Sequence, residues 1–214
     1  MCIATKTISI QNETFILTNQ RAAFWEKEKA LILSDLHIGK TAHFRKNGIA
    51  LANHIMKSDL ERLSLLIEYF QPAKFIVVGD LLHAGDNSDV DEFCIWKSQY
   101  PDIQFYLIEG NHDRISKALE EKLCFNHTSE CLEINNITFI HDFDHVRQEF
   151  QITGHIHPGI VLNSKVKNIR LPCFALSSNQ LLLPAFSKFT GLDTKNLPKK
   201  STFFVFTEAE IYEI

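Results

Sequence analysis

Phe105-Tyr106-Leu107-Ile108-Glu109-Gly110-Asn111-His112-Asp113 is the stretch that decides the reading of this chain: an apolar run gives way to a glycine, an amide, an imidazole and a carboxylate. The same transition recurs along the sequence. Ala30 to Leu33 leads into Asp35-Leu36-His37, Phe75 to Val78 into Gly79-Asp80, Ile137 to Ile140 into His141-Asp142, and a weaker run, Phe150 to Thr153, into Gly154-His155-Ile156-His157. Short apolar runs closed by glycine and polar residues are the pattern of buried strands. Each polar block is therefore expected to project from the carboxyl edge of a strand, where open α/β sheets build their sites.

The residue types select the chemistry. Asp35, His37, Asp80, Asn111, His141, His155 and His157 offer carboxylate, amide and imidazole donors and no thiolate. Such donors suit divalent ions such as Mn²⁺, Fe²⁺, Zn²⁺ or Ni²⁺ rather than a sulfur-rich structural zinc site. Seven candidates are too many for one tetrahedral ion, so two ions are the economical expectation. A pair held ~3.5–4 Å apart activates a water and stabilises both the attacking and the departing oxygen of a phosphoryl displacement. Phosphoester hydrolysis is the reaction class that follows.

The order Asp-x-His, Gly-Asp, Gly-Asn-His-Asp, His, Gly-His-x-His, running from Asp35 to His157, resembles the calcineurin-like metallophosphoesterase superfamily. Any one block is weak, whereas five in family order are specific. The chain departs from many members in lacking an acidic residue just after Gly79-Asp80, where it reads Leu81-Leu82-His83. A narrower resemblance, to the bacterial PdeM-type phosphoesterases, rests on Arg21-Ala22-Ala23-Phe24-Trp25, on Asp35 to Lys40 with Phe44-Arg45 and Gly48-Ile49, and on Gly79 to His83. It extends to Arg170-Leu171-Pro172-Cys173-Phe174 and to Leu183 through Gly191. That family is named as a ligase-associated DNA-damage-response endonuclease, which implies a DNA phosphodiester substrate and association with a DNA ligase and helicase-like system.

The resemblance implies a four-layer α/β/β/α sandwich of two mixed sheets flanked by helices. It also implies a ligand distribution: Asp35, His37, Asp80 and His157 for a first ion, Asp80, Asn111, His141 and His155 for a second, with Asp80 bridging. His112 is then a non-ligand beside the leaving-group oxygen, able to protonate it. Asp113 would orient His112, or cap the following helix. Lys40, Arg45 and His83 are candidate substrate contacts, with Lys46 a weaker member of the same basic rim. The other reading of these cations is solvated helix-surface charge. The alternatives to a phosphodiesterase are a phosphatase or phosphodiesterase of small nucleotides or metabolites, and a non-catalytic interaction protein on the same fold. The complete ligand set favours catalysis.

Composition agrees with one enzyme domain spanning 1–214. The 214 residues are 45% hydrophobic and include 17 phenylalanines, enough for a substantial core. No low-complexity run or long-period repeat marks a boundary, and Asp193 to Ser201 reads as a surface loop. No window approaches the ~18 consecutive apolar residues of a membrane span, and no basic region followed by an apolar stretch opens the chain. The expectation is a cytoplasmic protein, in keeping with five cysteines at irregular spacing. A net charge of −4 argues against a non-specific nucleic-acid binder, whose affinity comes from a basic stripe. Two divalent ions at the scissile phosphate offset that deficit locally.

The coarse pass places a hairpin at Thr5 to Ile10 and Thr14 to Leu17 around Gln11-Asn12-Glu13. Strands follow at Ala30 to Leu33, Phe75 to Val78 and Ile103 to Ile108. Helices are expected from about Leu51 to Phe70, closed by Pro72, from about Val90 to Tyr100 capped by Ser88 or Asp89, and near Ile115 to Lys122. From Cys131 onward the pattern is strand-rich, with strands at Ile137 to Ile140, Gln151 to Thr153, Ile160 to Leu162, Ile169 to Leu176, Gln180 to Pro184, Thr202 to Phe206 and Ile211 to Tyr212. His43, His54 and His127 lie in helical or connecting segments without a companion ligand. His145 follows His141 closely enough to replace it in a misread motif. The phenylalanines from Phe174 to Phe206 read as core or dimer surface, and the oligomeric state, homodimer included, is left open.

Overall fold

The computed structural model describes residues 2–40, 54–163 and 167–214. Among the described residues, fifteen strands form two mixed sheets. The first runs in chain order: β1 (Thr5–Ile10), β2 (Glu13–Thr18), β3 (Ala23–Trp25), β4 (Ala30–Leu33), β5 (Lys74–Val78), β6 (Gln104–Ile108) and β7 (His127–Ser129). Its first four strands are antiparallel, and β4 to β7 are parallel. The second contains β8 (Cys131–Ile134), β9 (Ile137–Ile140), β10 (Phe150–Thr153), β11 (Gly159–Asn163), β12 (Asn168–Leu176), β13 (Gln180–Leu182), β14 (Thr202–Phe206) and β15 (Ile211–Glu213). Its order is β15-β14-β12-β13-β10-β9-β8, with β11 paired to β12. The three described helices are α1 (His54–Phe70), α2 (Ser88–Lys97) and α3 (Lys117–Leu123). None of them is long and apolar enough to cross a membrane.

Alternation along the strands builds two cores. In β4, Ala30 and Ile32 face the second sheet while Leu31 and Leu33 face the helices. Ile76 and Val78 of β5 divide from Phe75 and Val77 in the same way. The inter-sheet core adds Phe139, Ile152, Phe174, Leu181, Phe204 and Phe206 from the second sheet. The helix-side core adds Leu63 and Leu66 of α1, Phe93 and Trp96 of α2, and Leu119 and Leu123 of α3. Burial on both faces is why β4, β5 and β6 read as continuous apolar runs rather than alternating ones. The expected sandwich of two mixed sheets flanked by helices is what forms, with all three described helices against the first sheet.

Several boundaries move. The β1–β2 hairpin turns on Gln11 and Asn12 alone, both left-handed (φ 50° and 63°), the backbone of a two-residue turn. The first residues of the helix expected from Leu51 lie outside the described residues. Gln71 follows α1 in the left-handed conformation (φ 46°), its N–H on Ile67 O, and Pro72 comes next. The cap of α2 is Asn87, whose side chain accepts from Asp89 N–H, rather than Ser88 or Asp89. Asp113 does not cap α3; Ser116 does, accepting from Leu119 N–H. The strand expected to start at Ile103 starts one residue later, and that expected to reach Pro184 ends at Leu182. His127 falls in β7 rather than in a helix or connection, exposed, with its ring against Ser129 Oγ at 3.1 Å.

Candidate metal centre

Every expected ligand lies just beyond a parallel strand: Asp35 and His37 after β4, Asp80 after β5, Asn111 after β6, His141 after β9, His155 and His157 after β10. The sheets face each other, so these edges converge. Two clusters result, each with its donor atoms within 4.8 Å of one another: Asp35, His37 and His157, and Asp80, His141 and His155. Each draws on both sheets.

The turns that present these residues are unusual in backbone. Asp35 (φ 54°), His37 (50°), Asp80 (50°), His155 (72°) and His157 (55°) all occupy the left-handed region. Such residues cost of order 1–3 kcal/mol each and persist where surrounding bonds over-determine them, commonly at functional sites. Those bonds are present here. Asp35 N–H donates to Gly79 O and His37 N–H to Asp80 O, both at 3.0 Å. His155 N–H reaches both Asp35 oxygens at 3.3 and 3.2 Å, and His112 N–H reaches Asp80 Oδ1 at 3.0 Å. Close approach also demands glycine at the centre. A Cβ on Gly79 (φ 77°) would lie 2.0 Å from His141 Nδ1, and one on Gly110 would lie 2.3 Å from Asp80 Oδ1.

The donor sets fit divalent cations. In the first cluster His157 Nε2 lies 3.2 Å from Asp35 Oδ1 and 3.3 Å from His37 Nε2, three atoms that can each offer a lone pair to one cation. Burial holds the His37 imidazole down to about 4, against the attraction of Asp35 and Asp80, so it is a neutral donor at pH 7. In the second cluster His141 Nδ1 donates to Val78 O at 3.1 Å, which fixes the tautomer and turns Nε2 toward Asp80 Oδ1 at 3.4 Å. A carbonyl behind a ligating imidazole is the usual means of orienting it. Burial lowers His141 and raises Asp80, yet their mutual attraction wins: the imidazole is lifted to about 9 and the carboxyl held down to about 2. A proton thus occupies this cluster in the metal-free protein, at the place suited to an ion.

Around the clusters, the rings of His112 and His83 each lie with centroids 5.9 Å from His37. Asn111 is exposed beside them and lines the same cavity. Asp113 gives its carboxylate to the N–H groups of Gly110, Leu81 and Leu82 at 2.9, 3.3 and 2.8 Å. It ties the loop after β6 to the loop after β5 rather than holding the His112 ring, and burial raises it to about 6 despite those bonds. Lys40 lies 5.6 Å from the Phe189 ring, lines a small cleft with His37, and is lowered by burial. Arg45, Lys46 and His43 lie outside the described residues. His145 packs its ring on Phe143 at 5.0 Å, away from the clusters that His141 joins.

Tertiary contacts add a support with no local sequence signal. Arg62 of α1 is fully buried, donating to Asp59 Oδ1 at 3.0 Å and Phe186 O at 2.6 Å with its guanidinium over the Phe186 ring. Arg21 donates to Ala185 O and Ser187 O at 2.9 and 3.1 Å. The clamped segment in turn donates from Phe186 N–H to Ser34 O and from Ser187 N–H to Asp35 O. A buried arginine, Arg62, and a half-buried one, Arg21, thus hold the strap that fixes the Asp35 backbone. The strap and Arg21 belong to stretches that carry the narrower sequence resemblance.

Paired clusters of carboxylate and imidazole donors at the facing edges of two sheets are an arrangement suited to a metal-dependent hydrolase. The family model for calcineurin-like phosphoesterase matches residues 29–183, and the chain belongs to that family. It is accordingly a metal-dependent phosphoesterase. Its structure is similar to that of nuclease MPE from Pseudomonas putida, at TM-score 0.81 and 26% identity over 94% of this chain and 96% of that one. More distant matches are a protein of unknown function from Aquifex aeolicus (TM-score 0.43, 17% identity, 64% of this chain and 81% of that one) and the phosphoesterase Yfce from E. coli (0.42, 12%, 84% and 88%). No curated protein matches the sequence.

Proposed function

We propose that the chain is a dinuclear phosphodiesterase acting on DNA, all 214 residues serving as one catalytic domain. The observation that carries this reading is the pair of donor clusters with the His112 ring alongside. Asp35, His37, Asp80 and His157 would hold one ion and Asp80, Asn111, His141 and His155 the other, with Mn²⁺ favoured by the oxygen and imidazole donors and Fe, Zn or Ni also suited. Two such ions supply Lewis-acid charge to the phosphoryl oxygens and lower the pKa of a water for attack.

The chain's own groups do the rest. The Val78 carbonyl keeps the His141 Nε2 lone pair directed inward. Asp80, whose Oδ1 accepts from the His112 N–H, would be the carboxylate shared between the two ions. The His112 imidazole gives a proton to the departing sugar oxygen as its bond to phosphorus breaks, while Lys40 and His83 line the approach. The nuclease title of the Pseudomonas putida structure supports a phosphodiester substrate. The resemblance to ligase-associated endonucleases supports a repair setting with a ligase and helicase. Five cysteines without a disulfide support a cytoplasmic one.

Chelated protein resupplied with Mn²⁺ tests the reading on bis-p-nitrophenyl phosphate, p-nitrophenyl phosphate and single-stranded DNA. The expected result is faster hydrolysis of the diester than of the monoester, with DNA cleaved. A clear monoester preference would turn the assignment to a small-metabolite phosphatase.

A further inference from the structure

Three stretches meet at one cavity of about 510 Å³ through residues that give no donor to the clusters: Arg21, Leu171 with Pro172, and Lys188. Each belongs to a stretch that carries the narrower sequence resemblance. The rest of the wall comes from the β2–β3 turn, through Gln20, and from the β14–β15 turn, through Glu208. Asn19 ties these turns together, its amide donating to Glu208 O at 2.8 Å. The volume is that of a small-molecule site, and no lining residue belongs to either donor cluster.

The charged groups on this wall lack partners. Arg21 is half-buried, and among the described residues only its Nη1 makes hydrogen bonds, to Ala185 O and Ser187 O at 2.9 and 3.1 Å, which leaves Nε and Nη2 open. Burial and the neighbouring Arg62 guanidinium hold it down to about 10, against the attraction of Asp59, so it stays charged at neutral pH in surroundings that disfavour the charge. Lys188 directly follows the Ser187 that Arg21 grips, and its ammonium enters no hydrogen bond or ion pair among the described residues. A guanidinium fork beside an ammonium suits a phosphate dianion. The Glu208 carboxylate is also unpaired among the described residues, and the Gln20 amide oxygen accepts no hydrogen bond there, so a ligand that brings donors as well as an anion fits best. Leu171, Pro172 and Phe206 add apolar surface for a ring. Phosphate, donor groups and a ring with an apolar face are the parts of a nucleoside monophosphate.

We infer that this cavity is a second binding site, separate from the metal centre, that takes a nucleoside monophosphate: the phosphate on Arg21 and Lys188, the ring against Leu171 and Pro172, and a hydroxyl or amino group donating to Glu208. The inference is independent of what the metal centre hydrolyses.

Calorimetric titration of the Mn²⁺-loaded protein with adenosine 5′-monophosphate tests this, with adenosine and orthophosphate as its separate parts. The whole nucleotide should bind more tightly than either part by roughly tenfold or more, the worth of one charge-assisted hydrogen bond. Lys188→Gln and Leu171→Glu should each weaken it by a factor of the same order. Lys188 is exposed and its side chain makes no hydrogen bond among the described residues, so a loss in that variant does not come from misfolding. Asp80→Asn, which alters the metal centre alone, should retain a full equivalent of nucleotide binding. Absence of binding, orthophosphate held as tightly as the nucleotide, or an affinity indifferent to Lys188 and Leu171 would overturn the inference. Binding lost only in Asp80→Asn would place the nucleotide at the metal centre and overturn it equally, whatever that centre proves to cleave.

Discussion

Asp80 has the hardest task of any residue at the site. Burial would raise its carboxyl, yet His141, the His112 N–H and His37 together hold it down to about 2, so it stays charged at any working pH. Asp80→Asn keeps the shape and removes the charge. It should abolish activity and bring bound metal well below two ions per chain, because a neutral amide cannot balance two cations. Elemental analysis checks this, and two tightly held ions with normal turnover would contradict it. His112→Ala is the complementary change. The bond to Asp80 comes from the His112 backbone, which the variant retains, so both ions should remain while turnover falls by ~10²–10⁴-fold. The loss should be far greater on DNA, whose alkoxide leaving group needs a proton, than on a nitrophenyl ester. Equal slowing of both with metal intact would make the imidazole a positioning group.

The loops after β4, β5 and β10 carry the left-handed residues of the centre, and they depend on partners outside themselves. Arg62 joins α1 to the strap after β13, with Asp59 only 7% exposed beneath it and hydrogen-bonded by Ser187. Arg62→Met keeps the bulk and leaves Asp59 without its main counter-charge. Removing one partner of a buried pair costs about 3–5 kcal/mol, and urea unfolding should show a loss of that order, with Arg62→Lys losing less. A change under 1 kcal/mol would mean the ion pair is dispensable. None of this network is legible in the sequence, since Arg62 sits in a helix pattern that otherwise reads as amphipathic. Three-residue strands such as β3 and β7 are equally hidden, being too short to display a period of two. Residue type alone does not single out Asn87 as the cap, because Ser88 and Asp89 beside it are equally good candidates.

At the scale of the whole molecule, the metal-free protein should report its centre through pH. The folded His141 titrates near 9 against an ordinary value of 6.5. Its contribution to stability is therefore fully present below pH 6.5 and is lost as pH rises through about 9, because the folded state holds a proton that the unfolded chain has released. Thermal unfolding in a chelator should show the melting temperature falling between pH 6.5 and 9. With Mn²⁺ added the decline should disappear, since binding requires the neutral imidazole and displaces the proton. A flat profile in the chelator would mean that His141 is not paired with Asp80.

The sequence alone determined the chemistry. Donor types, their order, and the strand-like run before each are properties of near neighbours along the chain, and a strand that ends in a ligand puts that ligand at a sheet edge whatever the rest of the fold does. The central parallel strands, the strand-rich second half and the seven expected donors followed from that. What only the tertiary structure decided is partnership. His37 and His157 are 120 positions apart, yet their nitrogens meet at 3.3 Å because two sheets pack face to face. Likewise, Asp113 became a tie between loops, and Arg21 and Arg62 a clamp on the strap beside Asp35. Contacts of this kind form between residues remote in sequence, where packing sets the partners and neither periodicity nor spacing carries a trace of them.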